Sequence, residues 1–418
     1  MEVSVYVISI GNEIMLGHIT NTNAQYISKA LSGIGIRTTR HISIPDEAKT
    51  IISSIKRALL ETDILILTGG LGPTVDDLTL GCISKALDKK LIFQKRIADH
   101  IKMHFKTRKL KMPANNLRQA FIPKDARPIL NNVGTAPGLL IPVRKKIVIA
   151  LPGVPNELYL MFEKTVAPYL RKTARPKKII KSRVIKITGL PESRVNEKVR
   201  DLLKIKGDVQ MGIYPHPGEV SIKITAIKRG KKSIDPLINK IEKKIRLRLG
   251  NYIFGYDNEK LEEVVGKTLT KMRKTLSIAE SCTGGLVANR ITDVPGSSGY
   301  FQMGVVVYSN LSKNKILNIP LETIKKYGAV SKLVTSLMAK NIRLLAKTNI
   351  GIGISGIAGP LGATKKKGVG LVYIALSTKK KTICKEFRFL GQRSIVKYKA
   401  TQAALDMIRL KFLSKTRS

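Results

Sequence analysis

Short, wholly apolar runs that end in glycine constrain this chain more than any other feature. Asp63–Thr68 reads DILILT and runs into Gly69-Gly70, and Lys146–Ala150 reads KIVIA and runs into Leu151-Pro-Gly. A run this short, without polar alternation, is a strand covered on both faces, the signature of a buried parallel sheet. Helical segments are expected between such runs. Asn23–Leu31 follows a candidate N-cap at Asn21 or Thr22, and Asp77–Leu87 and Pro155–Tyr169 follow later. VSVYVISI, from Val3, opens the chain as a strand. Strand–helix alternation predicts the α/β class, a parallel sheet with helices on its faces.

With 418 residues the chain has room for two or three domains. The stretch from Arg171 to Lys181 is strongly basic and contains Pro176, so a boundary is expected there. Beyond it, SRVIKITGL, ESRVNEKVRDLL and GEVSIKITAIKR read as strand, helix and strand, and Ile234–Leu249 as a closing helix. A last block opens near Gly255 with a helix over Leu261–Arg273 and the strand LSIAES. GVVVYS, IGIGISGIAG and VGLVYIAL supply further strands, and Lys332–Ala346 and Ser394–Leu413 further helices. The expected domains are therefore 1–170, a small α+β unit over 171–254, and an α/β domain over 255–418. Tryptophan is absent and aromatics are 5%, so Ile, Leu and Val must fill the cores.

The net charge of +46, from 75 Lys and Arg against 29 acids, would draw polyanions. Yet the basic residues are scattered. Arg144-Lys145-Lys146, Lys365-Lys366-Lys367 and Lys379-Lys380-Lys381 precede or connect expected strands, where solvated turns belong. A nucleic-acid partner is thus allowed but not favoured. No apolar run approaches the ~20 residues of a membrane span, so no membrane partner is expected. The N-terminus has Glu2 and no basic leader, and Cys82, Cys282 and Cys384 form no metal spacing. Both fit a reducing cytoplasm.

Two stretches carry chemistry. In the last block a strand ends in Glu280-Ser281-Cys282-Thr283-Gly284-Gly285, just before an expected helix. Spacing leaves two readings open. Ser281 can be a nucleophile beside free helix N–H groups, or Ser281 or Thr283 can simply cap the helix. All five histidines lie outside this block, which excludes a Ser-His triad within it. Tyr308, at the end of GVVVYS, is followed five residues on by Lys313, and a lysine of lowered pKa can serve as base. Near the N-terminus, Thr68-Gly69-Gly70-Leu71-Gly72-Pro73-Thr74-Val75-Asp76-Asp77 follows a buried strand and opens a helix. Such a turn suits a phosphate, and its paired carboxylates suit a divalent metal.

Taken in order, ESCTGG, PGSSGYF, GVVVYSN with its lysine, GAVS and GISGIAGP closely resemble the C-terminal domain of the CinA family. That domain hydrolyses nicotinamide mononucleotide to nicotinate mononucleotide and ammonia. The resemblance implies Ser281 as nucleophile, Lys313 as base and Tyr308 as a positioning group, with no cofactor. It implies oxyanion or phosphate contacts from Thr283, Gly284 and Gly285. Ser298 is a second motif serine and an alternative reacting hydroxyl. Ser355 stands where the family usually has threonine, and Arg393 is expected to face substrate phosphate. Residues Gly359–Lys365 replace a more glycine-rich loop, Gln392 an acid, and Lys397 an arginine.

The glycine-rich turn, together with Gly11-Asn12-Glu13, Asn21-Thr22-Asn23, Gly134–Gly138 and Leu151–Pro155, resembles the molybdopterin-binding-like domain of full-length CinA proteins. That is a three-layer domain of the MoaB/Mog type, often linked to ADP-ribose pyrophosphatase activity. There the resemblance implies a divalent metal near Glu13, Asp46, Asp76 and Asp77, and substrate contacts at Gly69, Gly70, Gly72 and Thr74. It also implies a homodimer. The alternatives are a competence or DNA-damage accessory protein and a pterin-binding module.

Overall fold

A computed structural model describes residues 3–174, 178–205, 207–229 and 233–413, and Pro176 lies outside them. The chain divides into two compact units, residues 1–181 with 227–234, and residues 182–226 with 235–418.

In the first unit the strands are Val5–Ile10 (β1), Arg40–Ile44 (β2), Ile64–Thr68 (β3), Leu91–Phe93 (β4), Phe121–Pro123 (β5), Arg127–Ile129 (β6), Gly138–Val143 (β7) and Lys146–Leu151 (β8). The main sheet has the order β2-β1-β3-β8-β7-β6. β2, β1, β3 and β8 run parallel, whereas β7 and β6 are antiparallel. The expected all-parallel sheet is therefore a mixed one. The physical reason is local: β7 and β8 are joined by the two residues Arg144-Lys145, and a tight turn can only return the chain antiparallel. β1 and β3 are buried at every position, as their unbroken apolar runs require. Helices Asn12–Met15 (α1), Thr22–Gly33 (α2), Ala48–Glu61 (α3), Thr79–Leu87 (α4) and Lys95–Thr107 (α5) follow in order. The predicted helix over Pro155–Tyr169 is Pro155–Met161 (α6), a π turn over Phe162–Val166, and Ala167–Thr173 (α7). Separate apolar clusters fill the two sides of the sheet, one containing Ile8, Leu65 and Leu67, the other Val7, Ile27 and Ile66.

The second unit carries two sheets. Lys178–Thr188 (β9), Val209–His216 (β10), Glu219–Arg229 (β11) and Ile253–Tyr256 (β12) form one, in the order β10-β11-β9-β12, with helices Glu192–Leu203 (α8) and Asp235–Leu249 (α9). Sequence reading missed β10, which pairs antiparallel with β11 across a tight turn at Pro217-Gly218. Leu276–Glu280 (β13), Phe301–Val306 (β14), Ile350–Gly356 (β15), Leu371–Thr378 (β16) and Thr382–Arg388 (β17) form the other, in the order β14-β13-β15-β16-β17. Here too the first three strands are parallel and the last two antiparallel. Its helices are Leu261–Lys271 (α10), Leu286–Thr292 (α11), Asn310–Leu317 (α12), Leu321–Tyr327 (α13), Lys332–Leu345 (α14) and Arg393–Leu413 (α15). Arg409 of α15 donates to the main-chain carbonyls of Asn251 and Ile253, tying the two sheets of this unit together. Among the described residues no helix is long and apolar enough to cross a membrane.

Candidate active sites at two strand ends

In each main sheet the chain leaves its first strand toward one neighbour and later returns to the other side of it. Ligand sites of α/β sheets lie at such switch points, outside the carboxyl ends of the strands. The two stretches singled out from sequence sit at these two points.

In the second unit, Ser281 follows β13 directly and its N–H donates to the Ile354 carbonyl of β15 (3.0 Å). β14 ends at Val306, so Tyr308 lies in the turn beyond the strand rather than at its end. Ser309 caps α12, its side chain accepting the Ser312 N–H (3.0 Å), and this fixes the first turn from which Lys313 projects inward. Lys313 is 1% exposed. Its Nζ lies 3.2 Å from Ser281 Oγ and donates to the carbonyls of Val307 (2.8 Å) and Tyr308 (3.2 Å). Burial holds its pKa below the usual lysine range, while the neighbouring Cys282 acts to raise it. Cys282 itself is buried and pushed up to about 12, which removes it as a competing nucleophile at neutral pH.

Of the backbone groups that could hold an oxyanion, those inside the helix are already bonded. The Glu280 carboxylate accepts the N–H groups of Val287 (3.1 Å) and Ala288 (2.8 Å) in the first turn of α11. The helix N–H groups expected to stabilise an oxyanion are therefore occupied by a buried acid. Among the described residues, the N–H groups of Thr283 and Gly285, before the helix, donate to no protein acceptor. Gly284 and Gly285 both have left-handed backbone, at φ 62° and 91°, and this aims the turn outward. The Thr283 hydroxyl is fully buried without a partner.

The remaining expected residues separate. Arg393, at the start of α15, donates to the Tyr308 hydroxyl (3.0 Å) and the Gly359 carbonyl (2.9 Å). With Leu286, Gln392, Ser394 and Lys397 it lines an open cavity of about 450 Å³. Ser355 is buried and its hydroxyl donates to Ala329 O (2.7 Å), so its proton is committed to the backbone. Ser298 is exposed in a short turn just before β14, at the amino end of a strand parallel to β13. Within one chain it lies at the opposite end of the sheet from Ser281 and is not brought to Lys313.

In the first unit a cavity of about 500 Å³ opens beyond β1 and β3. Gly69 and Gly70 form its floor, both with left-handed backbone. A Cβ on Gly69 would stand 2.2 Å from the Ile10 carbonyl, so only glycine fits there. Among the described residues, the N–H groups of Gly70, Leu71 and Gly72 have no protein acceptor, which makes them an anion nest. Glu13, Asp46, Asp76 and Asp77 line the same cavity. Burial raises the Asp46 carboxyl; the Asn12 N–H bonded to it (2.9 Å) opposes this, and Glu13, Asp77 and Asp76 add to the rise. Asp77 accepts from the N–H (2.8 Å) and hydroxyl (2.6 Å) of Thr74. Thr74 is therefore a brace for Asp77 and is not on the cavity wall. Among the described residues no three His, Cys, Asp or Glu side chains form a ready-made metal cage. The carboxylates fit a cation only if one or two of them share it with ligand oxygens, the usual habit of magnesium. Sequence reading missed Glu157, which also lines this cavity. Its only signal was an acid in the first turn of the helix after Leu151–Pro155.

Family models match each part of the chain. Residues 258–412 match one described as the CinA C-terminal domain, 6–172 a probable molybdopterin binding domain, and 182–255 the damage-inducible protein CinA KH domain. A putative competence-damage inducible protein of Caldicellulosiruptor saccharolyticus is 43% identical over 96% of this chain and 98% of its own. The chain belongs to the CinA family. A CinA-like protein of Kosmotoga olearia is 42% identical over 96% of this chain and 97% of its own. The solved structure of the protein CinA with unknown function from Thermoplasma acidophilum is 35% identical, covers 41% of this chain and 97% of its own, and has a TM-score of 0.37. The fold is thus mixed α/β, as expected, with a molybdopterin-binding-type N-terminal part, a middle part that matches the CinA KH domain and a CinA C-terminal part.

Proposed function

We propose that this CinA protein hydrolyses the carboxamide of nicotinamide mononucleotide to nicotinate mononucleotide and ammonia. The observation that carries the reading is the buried Lys313 amine 3.2 Å from the Ser281 hydroxyl, with its pKa depressed by burial. A neutral Lys313 takes the Ser281 proton as the oxygen attacks the amide carbon. The N–H groups of Thr283 and Gly285 receive the developing oxyanion. The C–N bond then breaks, Lys313 returns its proton to the nitrogen, and ammonia leaves. Water, deprotonated by the same amine, cleaves the acyl-serine. Arg393 and Lys397, beside the cavity at the start of α15, suit the phosphate of a mononucleotide. The test is ammonia release from nicotinamide mononucleotide by the full chain beside Ser281→Ala and Lys313→Met. Equal release from all three would sink the assignment.

A second activity is proposed for the first unit, cleavage of ADP-ribose to AMP and ribose 5-phosphate. It rests on the free amides of Gly70–Gly72 and four carboxylates lining one cavity. A divalent cation, where bound, would sit between one or two of those carboxylates and the pyrophosphate and supply charge neutralisation. Release of AMP that is lost on Asp46→Asn tests it. The names of the relatives would place the chain in competence or DNA damage. DNA binding that survives physiological salt would bring that reading forward, since attraction by a scattered charge does not.

A further inference from the structure

Two unlike sets of groups line the cavity of the first unit. The nest of Gly70–Gly72 and the carboxylates around Asp46 face anions and cations. Glu157 lines the same cavity together with Thr135, Ala136 and the Pro152–Pro155 loop.

Glu157 is set rigidly. Its Oε2 accepts from Asn131 Nδ2 (2.6 Å). Asn131 is 2% exposed, and its own Oδ1 accepts the N–H groups of Val133 (3.0 Å) and Gly134 (2.8 Å). That orientation leaves the Asn131 amide able only to donate, so its partner must be an acceptor. The carboxylate lies against the Gly134 α-carbon, where a Cβ would stand 2.3 Å from Oε1. Among the described residues Asn131 is the one hydrogen-bond partner of the Glu157 carboxylate, whose second oxygen has no donor. Burial raises its pKa accordingly. On the same wall, Asn23 donates to Gly153 O (2.7 Å), and its Oδ1 is buried without a partner. Of the two, the Glu157 oxygen is the one a ligand can reach, and an acceptor without a donor there asks for hydroxyl or amine hydrogens.

We propose that Glu157, held by Asn131, is the specificity residue of this cavity, accepting hydrogen bonds from the vicinal hydroxyls of a ribose whose phosphate lies on the Gly70–Gly72 amides. This deepens the nucleotide reading of the first unit and rests on it. A carboxylate accepts from both hydroxyls of a cis-diol and has nothing to offer a deoxy sugar. Glu157→Gln keeps the Asn131 contact through its carbonyl but turns an amide donor toward the diol.

The experiment measures binding of AMP and of 2′,3′-dideoxy-AMP to the full chain by calorimetry, wild type beside Glu157→Gln, with the folded state of each checked by circular dichroism. The wild type is expected to prefer AMP by at least about tenfold, the worth of a hydrogen bond to a charged group. Glu157→Gln is expected to lose that preference while binding dideoxy-AMP as before. A preference that survives in Glu157→Gln, or a wild type that binds both nucleotides equally, overturns the role of Glu157 and leaves the nucleotide reading standing. Folded wild type that binds neither overturns the nucleotide reading and the proposal with it.

Discussion

The two main sheets share a plan and differ in what they place at its active end. Each has a central first strand flanked by two parallel neighbours, with an antiparallel pair beyond. After β1 and β3 the chain continues into Gly11 and Gly69-Gly70, and the backbone itself provides the binding groups. After β13 and β14 it continues into Ser281 and a turn that brings Lys313 inward, the two side chains that the proposed amidase reading makes its reacting groups. One backbone plan therefore supports anion binding or nucleophilic attack according to the few residues past each strand.

This contrast can be broken by independent loss. Lys313→Met removes the base with little change of volume and is expected to lower ammonia release by at least about 100-fold. Cleavage of ADP-ribose should be unchanged, and parallel loss of both activities would show that the two ends do not work separately. Asp46→Asn is the mirror experiment. AMP release should fall about 10- to 100-fold, the effect of disturbing a polar group that orients a bound ion or phosphate, with ammonia release intact.

A pH profile sharpens the same difference. The working form of Lys313 is the neutral amine, and burial lowers its pKa. Ammonia release should therefore climb about tenfold per pH unit on the acid side and level off at a lower pH than a solvated lysine would allow. Between the lowered pKa and the ordinary lysine value, the unfolded chain holds a proton that the folded chain lacks. This group thus makes the fold gain stability as pH rises through that window. A rate that keeps climbing into the range of a free lysine would remove Lys313 as the base. The smallest expected effect is on the cap. Ser309→Ala loses the Ser312 N–H bond at about 1 kcal/mol, read as a Tm lower by about 2–4 °C. Ammonia release should fall with it only if α12 sets the position of Lys313.

The buried strands β3 and β8 were legible because a short apolar run that leads into a glycine turn has few other uses. β6 and β4 were not, since three residues carry no period, and β10 was hidden by its half-exposed pattern. Asn21 was readable as a cap and does accept the Ala24 N–H. At the sites, Ser281 and Lys313 were legible as a pair through family resemblance alone. Spacing could not separate a buried lysine from the many solvated ones, because burial of Lys313 depends on how β13 and α12 meet. Glu280 and Glu157 went unread for the same reason. Each acts through a partner that folding brings to it, the α11 amides in one case and Asn131 in the other.

The strongest acceptors around Lys313 Nζ are main-chain carbonyls, of Val307 and Tyr308. Main-chain oxygens cannot be deleted by point substitution. Burial is what lowers this amine, so the side chains packed around it tune it as much as the path of the turn does. A sequence can accumulate surface lysines to a net charge of +46 and leave that tuning intact. The weak points are then the two reacting residues, whatever lets the turn close, and whatever keeps water from the amine. A screen for inactivating substitutions around the lysine should return geometry-breaking changes such as proline and polar changes that hydrate it.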